Sequence, residues 1–464
     1  MGTWTILATV AAALTAVGSA PETDNFSTKD RKALVKSVRK YYGYLDESLY
    51  GKALKEMGEI QETLEKAGDK DEDWEASLAL CGDWREILRE GYQAESPRVK
   101  SATGNFASRP MELSNPLGIR EADLKELDKA FNGDLKVFYS FPKRYDKEPM
   151  PVIVAMHPTE AEENVKIRDL ESSSDIVRRV GDWAEETYPD EIREKAIILV
   201  PVLDLASLSA DGLHASRARW DSADGALWCF TALRDLVLNE VNHDFRRIFL
   251  DGHGEGSLAA MIFCSQYPSM TTGAVIRGPA PQRIEFSNCR NQSFLMVGEE
   301  SKAFAEKWSA EQGYNVTHVD SIDAATMVGW ITDEKNAKNT LPERVDLATD
   351  NLRYGAAYWL KISQLARVEN LRRAEIRAEV NKEDNSITVT TNKLVAGFSL
   401  FLNDDLVDLD REIKVIHKQA GEEEGAIRYQ GRKKRVLERL LKEYYYRQHG
   451  NGGEVFVESI DIEL

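Results

Sequence analysis

The sequence is poor in the residues that usually build metal and redox sites. Its 464 residues include only four cysteines and seven histidines. Cys81, Cys229, Cys264 and Cys289 form no C-x-x-C pair, which excludes zinc-ribbon and thioredoxin-type sites. Cys229 and Cys264 lie in apolar helical stretches and read as buried free thiols. His157, His214, His243, His253, His318, His417 and His449 supply neither H-E-x-x-H nor H-x-H, so no zinc hydrolase and no metal site is expected. No cofactor is implied either. A basic surplus is also missing. The 60 Lys and Arg against 78 Asp and Glu leave a net charge of −18, the opposite of the footprint a phosphate backbone requires, so no nucleic-acid partner is expected. Beyond the first 20 residues there is no apolar run long enough to cross a membrane, and no internal repeat.

What is present is an ordinary globular balance, 42% hydrophobic and 30% charged, long enough for two to four domains of roughly 100–200 residues each. The first residues carry an apolar core over 6–17, then Gly18, Ser19, Ala20 and Pro21. This pattern predicts a signal peptide over 1–20, cleaved near Ala20, and a secreted or periplasmic protein. The core falls short of the roughly 20 apolar residues of a membrane span; an N-terminal anchor is the competing reading. No Lys or Arg precedes it. Asn25, Asn291 and Asn315 each open an N-x-[ST] triplet.

The periodicity predicts four regions. Residues 26–95 are a helical region, with Ser27 and Asp30 placed as a capping box and Leu34, Val38, Tyr41 and Tyr42 at helical spacing. Residues 96–116, rich in Ser, Pro, Asn and Gly, are a linker. Over 117–366 short apolar strands alternate with helices; residues 152–156 (VIVAM) and 196–200 (AIILV) are apolar throughout, as in a sheet covered on both faces. Residues 369–464 are a β-rich module with one helix over 432–448, whose polar face takes the basic run 432–435. The fold class expected is α/β, a mostly parallel sheet flanked by helices.

Residues 247–260 read RIFLDGHGEGSLAA, a strand running into a glycine-rich turn and then a helix. In that setting G-x-S-x-G raises a nucleophilic serine, the flanking glycines letting the backbone bend without a Cβ clash. Here the pattern is Gly252-His253-Gly254-Glu255-Gly256, with glycine at the nucleophile's place.

Four stretches, FPKRYDKEPMPVIVAMHP, WDSADGALWCFTALRDLVLNEVNHDFRRIFLDGHGEGS, YPSMTTGAVIRGPAP and SFLMVGEES, resemble in order and spacing the α/β-hydrolase family, especially exported esterases of the polyester-depolymerase and dienelactone-hydrolase-like type. The resemblance covers residues 135–359. The turn NDDLVDL and the strand EIKVIHK resemble the C-terminal β modules of such esterases; the acidic run 403–410 reads as a solvated turn rather than a Ca²⁺ loop. The resemblance implies a catalytic triad, and its positions are degenerate. The nucleophile falls on Gly254. The acid falls on Ser301 in the turn Gly298-Glu299-Glu300-Ser301. The loop 320–326, where the base belongs, has no histidine, and His318 lies within the preceding strand. His157-Pro158 stands where the oxyanion loop usually carries His-Gly, and proline has no N–H to donate. Ser257, Glu255 and Glu300 are the substitute catalytic candidates.

The function expected is therefore an exported, non-catalytic protein of this fold. It would bind a small molecule, polymer or protein through a floor formed by His157, His253, Glu255 and Trp220. Trp330 is an aromatic more suited to core packing. The alternative is an active serine-type or atypical esterase or peptidase.

Overall fold

The computed structural model describes residues 26–46, 48–67, 74–92, 106–111, 135–143, 149–158, 173–202, 243–279, 284–367, 372–451 and 454–464. The expected signal peptide and Trp220 lie outside them.

An eight-stranded sheet organises the α/β part. Its strands are β1 (Ala107–Met111), β2 (Leu135–Ser140), β3 (Met150–Met156), β4 (Ile197–Val202), β5 (His243–His253), β6 (Gly273–Arg277), β7 (Ser293–Val297) and β8 (Asn315–Val319). They run in the order β1-β2-β4-β3-β5-β6-β7-β8. β1 and β2 are antiparallel to their neighbours; β4 through β8 form a continuous parallel array. This is the mostly parallel α/β sheet flanked by helices that the sequence predicts. Ile153, Ala155, Phe249, Val275 and Leu295 face α4 (Ser173–Thr187), the short α5 (Asp190–Arg193) and α8 (Ala324–Thr332). Val152, Val154, Met156 and Leu250 face α6 (Glu255–Gln266). Burying both faces explains why these strands read as unbroken apolar runs, each Val, Ile, Leu or Phe contributing about 1.5–3 kcal/mol. α7 (Glu299–Ser309) follows β7. Trp330 packs on Phe249 at 4.8 Å, a core contact.

The C-terminal region holds two sheets. One is β10 (Ala356–Ala357), β11 (Leu360–Leu365), β14 (Val395–Leu402) and β17 (Glu458–Glu463). The other runs from β16 (Ala426–Gly431) through β15 (Ile413–Gln419), β13 (Ser386–Thr391) and β12 (Ala374–Asn381) to β9 (Arg344–Thr349). The boundary differs from the expected division. Residues 344–365 do not belong with the α/β sheet, because β9 pairs with β12 and β11 with β14. The strand 426–431 was not legible in the sequence.

The N-terminal helices are α1 (Thr28–Asp46), α2 (Tyr50–Ala67) and α3 (Cys81–Tyr92). The expected capping box forms at Ser27 and Asp30. These helices share one apolar core with both C-terminal sheets and with α9 (Leu437–Asn451). Tyr42 stacks on Tyr445 at 5.4 Å and donates its hydroxyl to the Leu441 carbonyl. Arg85 of α3 grips the buried Glu454 carboxylate at 2.9 and 3.1 Å. The helical region is thus joined to the β module 369–464 by a common core.

The basic run 432–435 precedes α9 rather than lying on its polar face. Arg435 reaches back to Asp404 and Asp410 at 2.5–3.0 Å, so part of the acidic turn 403–410 is paired within the chain. The side-chain nitrogens of Asn291 and Asn315 are both spent on hydrogen bonds within the protein. Cys81, Cys264 and Cys289 are buried free thiols; Cys229 lies outside the described residues. No helix among the described residues is long and apolar enough to cross a membrane.

Candidate functional site

The bend after β5 is built by close packing. A Cβ at Gly252 would lie 2.5 Å from the Gly256 carbonyl oxygen, and one at Gly256 would lie 2.2 Å from the Met156 carbonyl oxygen. Both positions therefore require glycine. Gly254 is different: its φ of 55° and ψ of −119° belong to backbone that side chains rarely adopt, yet a Cβ there would meet only Pro158, at 3.6 Å. The turn has the strained shape that presents a nucleophile, has room for a side chain, and carries none. The Gly254 N–H donates to the Arg277 carbonyl at 3.1 Å, and its own carbonyl accepts from Ser257 N–H at 3.1 Å. Gly254 and Glu255 are exposed.

The candidate substitutes are dispersed. Ser257 is fully buried and donates its hydroxyl to the Gly252 carbonyl at 2.8 Å, which makes it part of the bend. Ser301 is also fully buried and donates to the Gly298 carbonyl at 3.0 Å. The same carbonyl lies 3.0 Å from His318 Nε2, so the end of β7 is tied by Ser301 and His318 together. Glu300 and Glu255 are exposed on the first turns of α7 and α6, where a carboxylate complements the helix dipole. In the loop after β8, Asp323 caps α8 by accepting from Thr326 N–H.

What does converge beside Gly254 is a charged cluster that sequence reasoning missed. Asp251, two residues before His253, is fully buried on the α4/α8 face of the sheet. Parallel pairing sets Arg277 level with His253, and the Arg277 guanidinium grips Asp251 with Nε and Nη2 at 3.0 and 2.9 Å. Tyr188 donates its hydroxyl to the same carboxylate at 2.9 Å. Burial by itself would push this carboxyl upward; Arg277 and then His253 outweigh it and hold it well below the usual range. His253 Nε2 lies 3.4 Å from Asp251 Oδ1 without making a hydrogen bond, and its ring stands edge-on to Trp183 at 4.9 Å. Trp183 also meets Tyr188 and His157, at 6.0 and 6.3 Å. The one visible signal for Asp251 was an acid inside the apolar strand sequence IFLDGH. Its partners Arg277, Tyr188 and Trp183 come from other elements, where spacing says nothing.

The expected ligand floor is only partly available. His157 is fully buried, its Nδ1 sits 3.0 Å from the Pro158 carbonyl, and burial lowers its pKa to about 4, with nearby His253 adding to the effect. His253 has 14% of its side chain exposed. Among the described residues no three His, Cys, Asp or Glu side chains gather as a metal site would require.

No protein-family model matches the sequence, and neither does any curated protein. Solved structures do align with part of the chain. A thermostable esterase aligns at 14% identity and a TM-score of 0.29 over 44% of this chain and 57% of its own. A putative dienelactone hydrolase from Klebsiella pneumoniae aligns at 10% identity and a TM-score of 0.28, over 50% and 93%. The fluorophosphonate-binding serine hydrolase F of Staphylococcus aureus aligns at 11% identity and a TM-score of 0.30, over 49% and 98%. The chain is similar to α/β-hydrolase esterases over about half its length.

Proposed function

We propose that this chain is an exported, non-catalytic protein of the α/β-hydrolase fold, which binds a ligand or partner beside the bend at Gly254. One observation carries the reading: the apex that would hold an attacking hydroxyl is bare backbone, while the Ser257 hydroxyl three residues on is turned inward onto the Gly252 carbonyl. Acyl transfer by this fold needs nucleophile, base and acid in contact, and losing them together removes the mechanism. Asp251 does not replace the acid, because Arg277 and Tyr188 already engage its carboxylate.

The test uses the purified mature chain with p-nitrophenyl esters and a fluorophosphonate probe. Neither turnover nor a covalent adduct is expected. Gly254→Ser is expected to fold and remain inert, since no histidine occupies the 320–326 loop. Labelling of Gly254→Ser, or of the unaltered chain, overturns the reading. Terminal sequencing of protein from the extracellular or periplasmic fraction tests export; a chain that retains residues 1–20 overturns cleavage.

A second reading, an atypical esterase, draws on the 3.4 Å approach of His253 to Asp251. It requires ester turnover that disappears in His253→Ala.

A further inference from the structure

β16 is the outermost strand of its five-stranded sheet, and among the described residues nothing pairs with its outer edge. Residues 426–428 are exposed, and Ile427 is 55% exposed, unusual for isoleucine on a strand. Such an edge presents unpaired N–H and C=O groups that another strand can join. Two features restrict which strand. The pairing of β16 with β15 shifts register between Val415 and Ile416, leaving Arg428 as the extra residue of a bulge. The strand is also bracketed by opposite charges. Glu422, Glu423 and Glu424 precede it and Arg432, Lys433 and Lys434 follow it. Glu423, Glu424, Arg432 and Lys434 are exposed, and among the described residues none of these four makes an ion pair. Arg435, by contrast, is fully used on Asp404 and Asp410.

A charged, bulged edge rejects an indiscriminate partner. It accepts a strand that carries the same charges in the opposite order. A second copy of this chain, laid antiparallel, does so. With a two-fold axis between Arg428 and Tyr429, Glu423 and Glu424 of each copy lie alongside Lys434 and Lys433 of the other. The arrangement repeats twice by symmetry, as a self-complementary interface must. We propose that β16 is a homodimerisation edge, joining two five-stranded sheets into one continuous sheet, with charge order setting its direction. The surface is independent of the bend at Gly254.

Sedimentation equilibrium on the full mature chain tests this, with four samples (the unaltered chain, two variants and their mixture) at concentrations up to about 100 µM and at low salt, where opposed surface charges are least screened. The expected result is a dimer for the unaltered chain. Glu423→Lys, and separately Lys434→Glu, should each weaken it at least tenfold, because each reverses a charge at both symmetry-related contacts. Mixing the two variants should restore the dimer as a heterodimer. The altered residues are all exposed, and circular dichroism of each variant confirms folding. A monomeric unaltered chain overturns the proposal. So does a dimer that either variant leaves intact, or a mixture of the two variants that fails to reassociate.

Discussion

The Arg277 guanidinium and the Asp251 carboxylate form a two-pronged ion pair, at 3.0 and 2.9 Å, in the parallel strands that carry the bend at Gly254. Asp251 is wholly buried and Arg277 largely so. A buried pair of this kind is costly to break, because the surviving charge has no water to turn to. Asp251→Asn or Arg277→Met should each lose about 3–5 kcal/mol in urea unfolding. The double variant Asp251→Leu with Arg277→Met should recover most of that loss. A double variant as unstable as the sum of the singles would mean that the pair is not the source. The carboxyl's contribution is present above its ordinary value of 3.8 and is lost only as pH falls far below it, because its folded value is depressed.

The three glycines of the bend should separate sharply. Gly252→Ala and Gly256→Ala set a methyl against backbone at 2.5 and 2.2 Å, and backbone cannot swing aside. Gly254→Ala meets no atom closer than 3.6 Å and bears only the strain of its sparsely populated backbone, on the order of 1–3 kcal/mol. Thermal unfolding should therefore rank Gly254→Ala well above the other two, and equal losses at all three positions would contradict this packing.

His157 makes stability depend on mild acid. Burial first, and His253 after it, lowers its pKa from 6.5 to about 4. Between those values the unfolded chain binds a proton that the folded chain refuses, so stability falls as pH drops from 6.5 toward 4. The slope should approach about 1.4 kcal/mol per pH unit. His157→Asn should flatten urea midpoints across that window; an unchanged slope would locate the dependence elsewhere.

Lys338 acts at the other end of the scale. It is fully buried, with Nζ donating to the Ser269 carbonyl at 2.8 Å. Burial lowers its pKa from 10.5 to about 7, against the opposing pull of Glu454 and Asp244. From pH 7 to 10.5 the unfolded chain holds more protons, so this group makes stability rise with pH. Lys338→Met should be more stable than the unaltered chain at pH 6 and should lose that rise. A variant less stable at pH 6 would show that the amine is needed as a donor there.

The sequence on its own determined what local rules can determine. Unbroken apolar runs such as 152–156 marked strands covered on both faces, and Ser27 with Asp30 marked the start of α1. The glycines of 252–256 marked a bend no bulky residue tolerates, and the missing serine at 254 was visible from the start. These features depend on periodicity, φ and sterics within a few residues. Only the tertiary structure decided the rest. Asp251 meets Arg277 because β5 and β6 pair in one parallel register. The Ser257 hydroxyl turns inward because α6 starts directly over the Gly252 carbonyl. Residues 344–365 leave the α/β sheet because their backbone partners lie later in the chain, in β12 at 374–379 and in β14 at 395–400. The helices of 26–92 share a core with residues 437–444. Each of these outcomes rests on which distant segments can bury their faces and satisfy their hydrogen bonds together, and no window of sequence carries that information.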